Sequence, residues 1–112
     1  MDASVNPFAR GLDKNTANYA PLSPLSFLAR AADVFPDTVA IVHGRQRTDY
    51  RTFHRRARQL GSALTRLGIG KNDTISVMLS NVPPMLEAHY GVPMAGAVLH
   101  SMNTRLDAAI IA

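Results

Sequence analysis

The run Thr74-Ile-Ser-Val-Met-Leu79 is continuously apolar in character and reads as a strand buried on both faces. Ser80 and Asn81 can cap a following helix, Pro83 and Pro84 fit its first turn, and Gly96 can close it. Ala97-Val98-Leu99 then opens a second buried strand that extends toward Met102. Strands separated by a helix of this length pair parallel, through a right-handed crossover. The fold class is therefore α/β.

The segment before it is organised differently. Ser23-Pro24 starts a helix with Leu25, Leu28, Ala32 and Phe35 on one stripe and Pro36 as its stop. Val39 to Val42, a turn at Gly44-Arg45 and Gln46 to Tyr50 form a β-hairpin. Phe53, Ala57, Leu60, Leu64 and Leu67 recur at four- and three-residue steps, so a long helix carries them on one face. Gly68 supplies its left-handed closing residue, and Gly70 to Asp73 turns the chain into the strand. The helix from about Pro84 to Ala95 is apolar nearly all round and needs cover on several sides; Pro93 ends or kinks it early. Residues 1–22 read as an extended arm. From Leu106 another helix begins, with Asp107 in its first turn, and the chain ends at Ala112 without a stop signal, as expected of a truncated domain.

Composition narrows the function classes. An apolar fraction of 46% argues against disorder, and no run approaches the roughly 18 apolar residues of a membrane span. The start lacks the basic-then-apolar pattern of a secretory signal. Zero cysteines exclude disulfides, thiolate metal sites and thiol nucleophiles, which fits a cytoplasmic protein. Net charge is +4, and six of the ten arginines (45, 47, 51, 55, 56 and 58) fall in one stretch with Asp49 as the sole acid among them. That stretch is either a solvated helix face with a hairpin tip or a polyanion site. No aromatic interleaving supports nucleic acid.

Together with Thr48-Asp49-Tyr50-Arg51-Thr52-Phe53, the stretch Gly91 to Leu99 and the run Asn103-Thr104-Arg105-Leu106-Asp107, the order of elements resembles the N-terminal region of the acyl-adenylate-forming (AMP-binding) enzymes. Fatty-acyl-CoA synthetases of the medium-chain type are most similar, and His100 departs from the small or amide residue common there. The resemblance implies that residues 23–112 are an incomplete N-terminal subdomain of a synthetase of fatty-acid and lipid metabolism. Its implied chemistry joins a carboxylate to ATP as an acyl-adenylate, with pyrophosphate leaving, and then passes the acyl group to the CoA thiol. ATP, Mg²⁺ and CoA are implied for the intact enzyme, none of them bound by this segment. The implied partner is a small-molecule carboxylate, with no nucleic acid and no membrane span, and with homo-oligomerisation of the parent left open.

The residues themselves assign no catalytic, cofactor-binding or metal-ligating group. Gly68-Ile69-Gly70-Lys71 lacks a third glycine and follows a helix, which turns the wrong end of the dipole to an anion. Histidines 43, 54, 89 and 100 have no short ligand spacing; His89 reads as a core residue bonded to backbone, and His100 as the one to test against a pocket. Ser101, Met102, Asn103 and Arg105 fall at the carboxyl end of a parallel strand, where α/β ligands gather. Asn103 and Arg105 border such a site or serve as a cap and a surface-pair residue of the next helix, and Ser80 and Asn81 admit the same two readings, with the helix-end role favoured for all four. The segment is expected to be inert alone. The rival readings are a small α/β binding module using the basic stretch 45–58, and an assembly piece donating the arm 1–22.

Overall fold

Helix starts occur where the sequence offers an acceptor or a proline. In the computed structural model, which describes residues 11–111, α1 (Pro24–Val34) follows Ser23, whose hydroxyl accepts the Leu25 N–H at 3.3 Å. A hairpin of β1 (Val39–His43) and β2 (Gln46–Asp49) turns at Gly44, which has φ 55°. Asp49 caps α2 (Tyr50–Arg66) by accepting the Thr52 N–H at 2.7 Å. Gly68, with φ 83°, closes that helix, and β3 (Thr74–Val77), α3 (Pro83–Met94), β4 (Val98–Ser101) and one turn of α4 (Ala108–Ile111) follow. Of the arm expected over 1–22, residues 1–10 lie outside the described residues. From Gly11 the chain turns about Asn15, whose side chain accepts the Ala17 N–H at 2.8 Å.

The strands form two separate pairs. β1 and β2 are antiparallel, with a register shift between Val39 and Ile41. β3 and β4 are parallel, pairing Thr74 with Val98 and Val77 with Ser101. β3 stops at Val77, short of Leu79, and β4 stops at Ser101, short of Met102; neither is covered on two faces. Ile75, Val77 and Leu99 are half-buried, while Thr74, Ser76, Val98 and His100 are exposed. The continuous run anticipated burial on both sides; here α3 packs on the pair and the opposite face is exposed.

The core is built around the crossing of α2 and α3. Ala57 is wholly buried there, and Gly91 approaches so closely that an added Cβ would lie 2.8 Å from the Ala57 carbonyl oxygen. A Cβ on Gly61 would in turn stand 3.0 Å from the Gly91 oxygen. Beside this contact Phe53 meets Tyr90 edge-on, ring centroids 5.3 Å apart at 84°. Leu28 from α1 and Ile41 from β1 complete the cluster with Phe53 and Ala57. Val92 and Ala97 are buried toward the parallel pair.

Several sequence expectations are corrected. Gly61, not Leu67, completes the buried stripe of α2, because the helix stops at Arg66 and Leu67 is left 77% exposed. Phe35 is likewise exposed beyond the end of α1. Ser80 and Asn81 do not cap α3: its N-cap is Val82, with no side-chain bond. Pro83 and Pro84 carry no N–H, so two of the donors a cap would satisfy do not exist. His89 is exposed rather than in the core, although its Nδ1 does bond the Met85 carbonyl at 2.7 Å.

Two outcomes follow from these contacts. Gly91→Ala drives a methyl into a backbone carbonyl and should cost about 1–3 kcal/mol in urea unfolding. Gly70→Ala, where a Cβ meets nothing within 4 Å, should change stability by less than about 1 kcal/mol; equal costs at both sites would contradict the close crossing. The second outcome concerns acid. The Thr52 N–H, then the Thr52 hydroxyl, hold the Asp49 carboxyl below its ordinary value of 3.8. A lowered folded pKa contributes stability that is complete above the unfolded value and lost as pH falls through the folded one. An NMR titration should place the Asp49 midpoint below 3.8, and Asp49→Asn should retain the cap without that acid dependence.

Candidate functional site

β3 and β4 end side by side, and the chain leaves them in different directions. Residues 78–82 rise into α3, and residues 102–107 run toward α4. Between these exits lies a cleft of about 470 Å³, with Ser80 and Asn81 on one wall and Ser101, Asn103 and Arg105 on the other. Parallel strands direct their carboxyl ends, and hence the most variable loops, into such a cleft. The six strand-end residues singled out from sequence (Ser80, Asn81, Ser101, Met102, Asn103 and Arg105) are thus brought together. Leu79, Met85 and Thr104 also line the cleft and were not anticipated; Thr104 is signalled by its place between Asn103 and Arg105.

Local bonds decide some of the alternatives. Asn103 does not cap α4, because its Oδ1 accepts the Arg105 N–H at 3.0 Å and holds a tight turn within the cleft wall. Asp107 takes the capping role, accepting the Ala109 N–H at 3.1 Å, which starts the helix at Ala108 rather than Leu106. Among the described residues Arg105 has no carboxylate partner. His100 is not part of the lining; its Nδ1 lies 3.0 Å from Ser76 Oγ on the exposed strand face.

Hydroxyls, amides and one guanidinium form the cleft's polar set, with no carboxylate. Such a set suits an anion such as phosphate and does not suit Mg²⁺, which takes carboxylate oxygens. No group of three or more His, Asp or Glu side chains that could hold a metal occurs among the described residues.

The glycine turn after α2 has its amides already committed. Gly68 N–H donates to the Thr65 carbonyl at 3.0 Å, and Gly70 N–H donates to Asp73 Oδ2 at 2.8 Å. It is a helix stop, not a phosphate cradle.

The arginine stretch divides into several environments. Arg47 Nη1 donates to the Gly44 carbonyl at 2.7 Å and stiffens the hairpin turn. Arg51 pairs with Asp37 at 2.9 Å on the surface. Arg56 reaches across to α3, where its guanidinium grips both oxygens of Glu87, the chain's single glutamate. Glu87 is 8% exposed, and its bond and charge push the Arg56 guanidinium pKa up. Arg55, Arg58 and Arg66 remain on the outer face of α2, beside a groove of about 640 Å³.

With this geometry in view, comparison with known proteins is decisive for ancestry. The family model described as "AMP-binding enzyme" matches residues 28–112. The chain belongs to the AMP-binding enzyme family. It is 50% identical over 102 residues to an acetate–CoA ligase of Humulus lupulus, covering 90% of this chain and 18% of that protein. It is 46% identical over 96 residues to a peroxisomal benzoate–CoA ligase of Arabidopsis thaliana, covering 86% of this chain and 17% of that one. A Mycobacterium tuberculosis fatty acyl CoA synthetase superposes with a TM-score of 0.73 at 30% identity, over 78% of this chain and 18% of that chain. The N-terminal subdomain of Klebsiella oxytoca NpsA, at 19% identity, shares the fold with a TM-score of 0.74, over 80% of this chain and 23% of that subdomain.

The chain therefore spans less than a fifth of the length of these curated relatives. Its α/β arrangement is that of the N-terminal subdomain of adenylate-forming enzymes. Relatives named as peroxisomal show that membership in this family does not fix a cytoplasmic location. No helix among the described residues is long and apolar enough to cross a membrane.

Within this family member, the Arg56–Glu87 pair ties α2 to α3 asymmetrically. The Arg56 side chain is 51% exposed and that of Glu87 11%, so solvent can take over the arginine's bonds but not the carboxylate's. Arg56→Met, which strands a buried carboxylate, should cost about 1–3 kcal/mol, and Glu87→Gln about 1 kcal/mol or less. Chemical denaturation of the two variants checks the order, and the opposite order would refute it.

Proposed function

We propose that the chain is the N-terminal portion of an ATP-dependent acyl-CoA synthetase and that it is inert by itself. Family membership over residues 28–112, with relatives near half-identical that are named as CoA ligases, carries this reading. In that reaction a carboxylate oxygen attacks the α-phosphorus of ATP and pyrophosphate leaves. The CoA thiolate then attacks the acyl carbon and AMP departs with the bonding electrons. A cysteine-free segment fits the scheme, because the reacting thiol belongs to the substrate. Residues 23–112 act as scaffold, with residues 1–22 as an arm. The strand-end cleft supplies Asn103 and Arg105 as one border of the site, holding an anionic portion of a substrate. We further place the enzyme in the cytoplasm, the peroxisome being the rival suggested by the relatives' names.

Acetate and benzoate, the acids named for two relatives, form the first substrate panel. The purified chain with ATP and Mg²⁺ should release no pyrophosphate on addition of either acid. A protein whose reading frame continues beyond Ala112 should release it with at least one acid of this class. In that longer protein Arg105→Ala should raise the KM for an anionic substrate about tenfold or more, with the helical circular dichroism unchanged. Acid-dependent release by the short chain, or none by the longer one, would overturn the assignment.

A further inference from the structure

The outer face of α2 has a pattern that the ligase reading does not use. Arg51, Arg55, Arg58 and Arg66 follow one another at four-, three- and eight-residue steps, which keeps them on one helical face over about 22 Å. The helix contains no Asp or Glu. Among the described residues Arg51 shares Asp37, whereas Arg55, Arg58 and Arg66 lie within salt-bridge distance of no carboxylate. Like charges one turn apart destabilise a helix, so the row lowers the stability of the free chain.

The row also borders a continuous depression. The basic groove of about 640 Å³ shares His54, Arg58 and Ser62 with a second groove of about 540 Å³. The floor of the second is apolar, formed by Leu25 and Ala29 of α1 with Met94 of α3. One side of the depression is therefore cationic and the other greasy.

We propose that this depression is a docking surface for an acidic amphipathic helix of a partner protein. Carboxylates at i, i+4 and i+7 of such a helix match the guanidinium steps, and an adjacent apolar stripe matches the Leu25–Ala29–Met94 floor. Single-stranded nucleic acid fits less well, because the basic groove offers no Phe, Tyr or Trp for base stacking. A bilayer fits less well because the charges border a concavity rather than a protruding apolar ridge. The chain has one glutamate, and its seven aspartates are scattered, so a second copy does not supply this helix.

Fluorescence anisotropy with the 112-residue chain tests the surface. The probe is a helical peptide of about 20 residues, long enough to fold alone, with Glu at the matching steps and Leu on the neighbouring stripe. A scrambled peptide of equal composition, a single-stranded oligonucleotide and phosphatidylserine vesicles serve as competitors. The patterned peptide should bind in a salt-dependent manner and at least about tenfold more tightly than the scrambled one. Arg55→Gln with Arg58→Gln should weaken it about tenfold, whereas Arg45→Gln with Lys71→Gln, the same loss of charge elsewhere, should not. Ser62→Trp should also weaken binding by filling the shared depression without changing charge. Circular dichroism confirms that each variant keeps its helices. Equal binding of both peptides, equal effects of the two double substitutions, stronger binding of nucleic acid or vesicles, or no binding of the patterned peptide would each overturn the proposal. Pyrophosphate release enters none of these measurements, so failure here is separate from failure of the ligase reading.

Discussion

Everything in this structure hangs on two helices touching at backbone distance. Where α2 crosses α3, Gly61 and Gly91 face each other's turns, and neither leaves space for a Cβ without displacement of its neighbour. Such proximity brings Phe53 against Tyr90 and lets Arg56 reach Glu87. It also sets where both of the other layers stand. The hairpin rests on the α2 side through Ile41, and the parallel pair rests on the α3 side through Val92 and Ala97. A methyl group at the crossing would separate the helices and so affect packing, ion pair and sheet together, because interiors at crystal-like density have no slack to absorb it.

A two-stranded parallel sheet is a small structure to rest on one helical layer. Parallel strands are ordinarily covered on both faces, since their crossovers place helices there. In this chain the face carrying Thr74, Ser76, Val98 and His100 is open, and Leu86 on α3 is 45% exposed. Relatives about five times as long offer a setting for such faces, as a chain covering 18% of a relative contains only part of its layers. The apolar character of β3 and α3 in sequence exceeds what the segment itself covers. Their exposure is that of the segment alone.

That difference explains what could be read in the residues and what could not. The helix positions, the hairpin turn at Gly44, the stop at Gly68 and the parallel pairing all rest on local patterns, and each is present. Ser80, Asn81, Ser101, Asn103 and Arg105 were legible as strand-end residues, because the strand ends themselves were legible. Their bonding was not. Ser80 and Asn81 do not cap α3 because Val82 holds the N-cap position and two prolines follow it without an N–H, and Asn103 uses its side chain within its own turn. Gly61 and Gly91 escaped notice for a different reason: a glycine inside a helix gives no sign of a partner until the partner's position is known. Glu87 gave a stronger hint, as a lone acid on an apolar helix must find a cation if it is to be buried.

The arginines show how one composition can serve unrelated ends. Arg47 holds a turn, Arg56 holds two helices together, and Arg105 stands at the cleft that ends the parallel strands. Each has an evident structural or site-bordering position. Arg55, Arg58 and Arg66 have none in the described fold, yet the helix bearing them concentrates positive charge without an acidic residue to relieve it. Fold stability does not account for that row, since alternating charge would serve a solvated helix better. An external anion does account for it, and the neighbouring apolar floor then limits which anion: one whose charges lie along one side of a rigid, partly greasy rod.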